Sequence, residues 1–254
     1  MKKTKESVVV NENLIFLDFD GVLFDTVREA YAMATLASKK YCTLEEIDYN
    51  TNHYKNFRSL RYLVSPAWNY KYLLESLENA SDIIEIKNSF LEKIKTSSQS
   101  DYIKFEETFF NIRRKIRKEN FLEWMHLNIP FPFLGKITKL IHDNKDKIYI
   151  VTTKDKETVL KLLDMENIFF DKNHVFDNTD YAKYGNKKDI IKSIVKDQVD
   201  RKYVFIDDSY KHINDCLGIN NLKCFQPEWG YVGEDAVTSN SKEIIFYLNK
   251  LLEE

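Results

Sequence analysis

The sequence predicts an α/β protein: a parallel sheet covered by helices on both faces, with an all-helical module inserted into it. Three observations carry this reading. Short apolar runs alternate with helix-periodic stretches from residue 129 onward, the pattern of strands joined by helical crossovers. A further run of strand length, Leu14-Ile15-Phe16-Leu17, stands alone near the N-terminus. Between them the spacing of apolar residues is helical. The expected organisation is a discontinuous core of residues 1–26 and 129–254, with a helical module over 27–128.

The chain has 254 residues, 43% hydrophobic and 14% aromatic, enough for a sizeable buried core. Lys and Arg total 38 against 40 Asp and Glu, a formal charge of -2, so no global basic field argues for nucleic acid or an anionic membrane. Cys42, Cys216 and Cys224 show no CxxC or His-paired spacing and read as thiols in a reducing compartment. Met1-Lys2-Lys3 and Val8-Val9-Val10 suggest a secretory signal, but Asn11, Glu12 and Asn13 break the apolar run, which reads instead as a lead into the first strand. No stretch approaches the roughly 18 apolar residues of a membrane span. A cytoplasmic location is expected.

The first strand ends abruptly in Asp18-Phe19-Asp20-Gly21. Residues i and i+2 share one side of a strand, so Asp18 and Asp20 address one small volume where the strand ends. Adjacent carboxylates repel unless a cation or a shared proton relieves them, and a divalent metal is the simplest relief. From Val27 the spacing turns helical through Ala37. Beyond Pro66, helices are expected at 69–79, 83–95 and 101–120, the second and third separated by Thr96-Ser97-Ser98-Gln99-Ser100. The last presents Phe105, Phe109, Ile112 and Ile116 on its apolar side and Arg113, Arg114, Lys115, Arg117 and Lys118 at its C-terminal end, where cations suit the helix dipole.

Pro130-Phe131-Pro132 and Gly135 make a stiff re-entry into the core. There the expected elements are helix 136–144, strand 147–152, helix 155–165, strand 173–176, helix 187–197, strand 202–206, helix 209–217, strand 221–225 and helix 241–252. Ligands of open parallel sheets sit beyond the carboxyl ends of the strands. Two strand ends and one helix start there carry polar residues of interest: Thr152-Thr153 after 147–151, Asp207-Asp208 after 203–206, and Lys187-Lys188 opening the helix expected at 187–197. A threonine in the first position is also an ordinary helix N-cap.

The stretch Asp18-Phe19-Asp20-Gly21-Val22-Leu23-Phe24-Asp25-Thr26 resembles the first signature, DxDGVLxDT, of the haloacid dehalogenase superfamily of phosphohydrolases. The later motifs resemble its remaining signatures in order, and Leu217-Gly218-Ile219-Asn220 and Trp229-Gly230-Tyr231 resemble its phosphoglycolate-phosphatase-like branch. The resemblance implies a Rossmann-like core, a helical C1 cap and a Mg2+-dependent phosphatase acting on a small phosphorylated metabolite. It implies Asp18 as nucleophile and Asp20 as general acid and base. It implies Thr152 as donor to a phosphoryl oxygen, with the amides after it including that of Thr153, and Lys187, with Lys188 as alternate, as the charge-neutralising lysine. Metal ligation falls to Asp18, the main-chain carbonyl of Asp20 and Asp208, with Asp207 in direct or water-mediated support. Many relatives carry an acid four residues after the metal ligand, where this chain has His212. Arg58, Arg61, Tyr62 and Trp68 are candidate selectors in the cap, but surface or cap-to-core ion pairs are the preferred reading of the arginines, so none of the four is counted in the site. A phosphomutase and a non-catalytic binding protein of the same fold are the alternatives; oligomeric state is left open.

Overall fold

The computed structural model describes residues 13–80, 82–196 and 200–253. The expected lead at Val8-Val9-Val10 and the last position of the helix expected over 187–197 lie outside the described residues. In chain order the first elements are β1 (Leu14–Leu17), β2 (Phe24–Asp25), α1 (Val27–Ala37), α2 (Asn52–Ser59), α3 (Asn69–Asn79), α4 (Ile83–Thr96), α5 (Gln99–Glu119) and α6 (Phe121–His126). Then come β3 (Ile129–Pro130), α7 (Pro132–Asp143), β4 (Ile148–Val151), α8 (Lys156–Met165), β5 (Val175–Phe176), α9 (Asn178–Tyr184) and α10 (Lys187–Val195). The last are β6 (Tyr203–Ile206), α11 (Tyr210–Cys216), β7 (Leu222–Phe225) and α12 (Ser241–Glu253). The described residues form two compact units: those of 13–23, 132–230 and 237–253 make one; those of 24–131 and 231–236 make the other.

The first unit is built on a five-stranded sheet in the order β5-β4-β1-β6-β7, every neighbouring pair parallel. β1 lies in the middle, Leu17 opposite Ile150 on one side and Ile206 on the other. All four residues of β1 and of β6 are buried, which explains why they read as unbroken apolar runs: strands covered on both faces have no polar side to alternate with. Phe16, Phe205, Ile190, Ile191 and Val195 pack in one cluster, seating α10 on the sheet. Because the strands are parallel, the residues that follow β1, β4 and β6 emerge at one edge. Among the described residues no helix is long and apolar enough to cross a membrane.

The second unit is helical apart from the antiparallel pairing of β2 with β3, two residues each, which the sequence did not foreshadow. Its core is strongly aromatic, with Tyr31, Phe57, Tyr70 and Phe109 all buried. Inside it the carboxylate of Glu29 on α1 accepts two hydrogen bonds from Arg113 on α5, at 2.5 and 2.6 Å, and one from Trp124 Nε1 on α6 at 3.3 Å. Arg58 pairs with Asp25 at 2.7 Å, and Arg61 donates to the carbonyl of Val64 while its guanidinium lies 4.9 Å from the centre of the Tyr231 ring. Tyr62 lies beside Gly233, and the ring of Trp68 stacks on Tyr102 with centres 3.9 Å apart. The segment Tyr231–Ala236 is bound to this unit through the Tyr231 hydroxyl, which accepts from the Thr26 amide at 2.7 Å and donates to Asp25 Oδ1 at 3.0 Å.

Candidate active site

The site of interest stands at the carboxyl edge of the parallel sheet. Asp18 follows β1 directly, its amide bonded to the carbonyl of Ile206 at 2.8 Å, so the register with β6 fixes where its side chain begins. Its Oδ1 accepts from the Phe19 amide at 2.7 Å and from Lys187 Nζ at 2.8 Å. Lys187 reaches it because α9 ends at Gly185 in the left-handed conformation (φ 86°) and Asn186 then caps α10, its side chain accepting from the Asp189 amide. Lys187 is thereby the first residue of α10, 1% exposed, and its ammonium bridges Asp18 and Asp207, 2.8 Å from each. Lys188 is half-buried and has its ammonium near Gly218 instead.

Asp207 and Asp208 follow β6 and do different things. The oxygens of Asp207 take Lys187, His212 Nδ1 at 3.1 and 3.2 Å, and the Ser209 amide at 2.8 Å. Burial favours the neutral acid, but Lys187 and His212 outweigh it and hold Asp207 at about 2. Burial dominates at Asp18, only partly offset by Lys187 and reinforced by repulsion from Asp207, and raises it to about 6. Lys187 itself is pushed above the ordinary lysine range: burial opposes its charge, but the two aspartates more than compensate.

Asp208 lies against the turn that follows Asp20. A Cβ on Gly21 would come within 2.1 Å of Asp208 Oδ2, and one on Gly230 within 2.5 Å of Asp208 Cβ. Gly21 also has φ 83°, so glycine is required there on both counts. The loop is pinned by Gln226 Nε2 donating to the Asp208 carbonyl at 2.7 Å and Trp229 Nε1 to the Val22 carbonyl at 3.0 Å.

After β4, Thr152 is buried and its Oγ1 accepts from the Lys154 amide at 3.2 Å, leaving the hydroxyl proton able to donate. The N-cap of α8 is Asp155, whose carboxylate accepts from the Thr158 amide, so the capping duty weighed for Thr152 falls elsewhere. Thr153 is exposed.

The family model for haloacid dehalogenase-like hydrolases matches residues 12–214. The chain belongs to this family. Among solved structures, the haloacid dehalogenase-like hydrolase SP0104 of Streptococcus pneumoniae is similar at 16% identity, with 93% of this chain and 98% of that one covered and a TM-score of 0.58. A predicted phosphatase of Clostridium acetobutylicum is similar at 16% identity, with 96% and 99% covered and a TM-score of 0.54. A predicted phosphoglycolate phosphatase of Haemophilus somnus is similar at 13% identity, with 93% and 97% covered and a TM-score of 0.52. At these identities the likeness establishes the fold. No curated protein matches the chain.

Hydrolases of this family generally use a divalent metal, and the residues here fit one. Asp18, Asp207 and His212 each bring a donor atom within 4.8 Å of the others. Between Asp18 and Asp207, however, the ammonium of Lys187 already supplies the positive charge. A further carboxylate stands nearby: the space left by Gly21 and Gly230 lets that of Asp208 lie against the turn that follows Asp20. Carboxylate oxygens are the donors that a hard divalent cation prefers.

The edge thus brings together Asp18, Lys187 and Asp207, with Asp208 against the turn after Asp20, while Thr153 is exposed and the Lys188 ammonium lies near Gly218. Sequence reasoning missed Lys154. Its side chain is 2% exposed and its ammonium lies 3.1 Å from Asp20 Oδ1. The available signal was its place, two residues beyond a strand end and just before a helix.

Proposed function

We propose that this haloacid dehalogenase-like hydrolase is a magnesium-dependent phosphatase, cleaving a small phosphomonoester of the sugar phosphate or phosphoglycolate kind through an aspartyl-phosphate. The observation that carries the reading is the carboxylate of Asp18, buried at the sheet edge with the ammonium of Lys187 on its Oδ1. A buried carboxylate held beside a fixed cation can approach an anionic phosphate that would otherwise repel it. Asp18 attacks phosphorus, and Asp20 gives its proton to the departing alcohol oxygen. Asp20, now a carboxylate, takes a proton from the water that attacks the aspartyl-phosphate, which returns Asp18 and releases inorganic phosphate. The hydroxyl of Thr152 and the amides after it hold the phosphoryl oxygens, while Lys187 neutralises them. Asp18, Asp208 and the carbonyl of Asp20 would hold the magnesium ion, which would supply further screening of negative charge. Asp207, its oxygens taken by Lys187, His212 and Ser209, supports that site by fixing Lys187.

The inserted helical unit is assigned the part of a cap that selects the substrate and excludes water. The net charge of -2 supports a free metabolite as substrate over nucleic acid or a membrane lipid, and three unpaired thiols accord with a cytoplasmic location.

The test is phosphate release from a panel of phosphorylated sugars, small acids and nucleotides, with magnesium or with EDTA, beside Asp18→Asn and Lys187→Met. Release that requires the metal and vanishes in Asp18→Asn is expected. No release from any compound would refute the phosphatase and favour phosphoryl transfer to a sugar hydroxyl or a non-catalytic role.

A further inference from the structure

We infer that Lys154 is the positioning residue for Asp20, fixing the carboxylate that exchanges a proton with the leaving oxygen; the inference rests on the phosphatase reading above. A lysine ammonium is strongly hydrated and costly to bury, so one that is 2% exposed must be paid for by its partner. The partner is Asp20, whose Oδ1 lies 3.1 Å away, while Asp20 as a whole keeps 21% of its side chain exposed. Lys187 and Lys154 hold different acids: Lys187 holds Asp18 and Asp207, and Lys154 holds Asp20.

The backbone beneath Lys154 is fixed from two sides. Its amide donates to Thr152 Oγ1, and its carbonyl accepts from the Asn178 amide at 3.4 Å. Asp155 caps α8 immediately after it. The flexible four-carbon stem therefore starts from an ordered point, and only its own rotamers have to be held by the ion pair. The bond to Oδ1 restricts rotation of the Asp20 carboxylate and so fixes the direction in which it faces the leaving oxygen. The part of Lys154 is to hold Asp20; the proton exchanged with the leaving group and with water is that of Asp20.

The experiment compares Lys154→Met and Lys154→Arg with the wild type on two esters. One is the alkyl phosphomonoester that gives the highest rate in the panel above, whose alkoxide needs a proton to depart. The other is p-nitrophenyl phosphate, whose phenolate departs without one. Since positioned proton transfer contributes about 10²–10⁴-fold, Lys154→Met is expected to lose roughly tenfold to a hundredfold in kcat on the alkyl ester with little change in KM. Its loss in kcat/KM on p-nitrophenyl phosphate should be smaller by about tenfold or more, and Lys154→Arg should recover most of the alkyl-ester activity. Melting temperatures of both variants establish that they fold. Equal losses on the two esters, a change confined to KM, or no loss would overturn the positioning role while leaving the phosphatase standing. A wild type that releases no phosphate from either ester would overturn both.

Discussion

Replacing Gly230 by alanine tests the cradle around Asp208 directly. The new methyl would stand 2.5 Å from Asp208 Cβ and 2.8 Å from the carbonyl oxygen of Gly21. Carbon atoms in contact sit about 3.5–4.0 Å apart, so about 1 Å of displacement must be found. The Gly21 side is backbone in a tight turn and yields little, so Asp208 moves. Forced overpacking of this kind costs about 1–3 kcal/mol, and for a chain of this size each kcal/mol lowers Tm by roughly 2–4 °C. A shift of about 1 Å in a positioned group costs on the order of 10²-fold in rate. Gly230→Ala is therefore expected to melt about 2–12 °C lower and to lose about a hundredfold in phosphate release, measured by thermal denaturation and by the panel assay. A variant with the wild-type Tm and the wild-type rate would refute the claim that Gly230 sets the position of Asp208.

Arg113→Ala leaves the fully buried Glu29 carboxylate, among the described residues, with only the Trp124 indole as donor; breaking a buried pair from one side costs about 3–5 kcal/mol, to be read from urea denaturation. Asp177 caps α9 and accepts from the amides of Lys156, Thr179 and Asp180; burial opposes its charge, but these bonds and the Thr179 hydroxyl hold its pKa below the ordinary value. Its charge therefore stabilises the fold above the ordinary aspartate pKa of about 4, and that contribution is lost as pH falls through the lower folded-state pKa. The stability gap between wild type and Asp177→Asn should be present at pH 7 and shrink on acidification below about pH 4; a gap constant from pH 7 to pH 3 would contradict this.

The sheet was legible because strands buried on both faces have nothing to be but apolar, and each run ended in a polar residue that marked the edge. The helices that escaped are those with little to bury. α2, Asn-His-Tyr-Lys-Asn-Phe-Arg-Ser, commits only Tyr54 and Phe57 to the core, and α9 buries no residue at all. What starts them is capping: Thr51 accepts from the Tyr54 amide, and Asp177 with Asp180 forms a capping box closed at the far end by Gly185. Those residues were visible in the sequence, but a cap without an apolar stripe is weak evidence there. The cluster of Asp18, Lys187 and Asp207 could be anticipated from motif order. Lys154 could not, because lysines are normally exposed and its burial follows from how the loop after β4 closes on Thr152 and Asn178.

The membership of Tyr231–Ala236 in the helical unit bears on how such a module is acquired in evolution. A stretch running from 24 to 131 is not a portable cassette, because Tyr231, 8% exposed and part of that unit's aromatic core, is encoded a hundred codons downstream. Transplanted alone into another scaffold, it would arrive with the amide of Thr26 and the carboxylate of Asp25 lacking the hydroxyl that joins them. Exchange of such modules between genes therefore has to carry two separate stretches of sequence, or the recipient must already encode a tyrosine at the matching place.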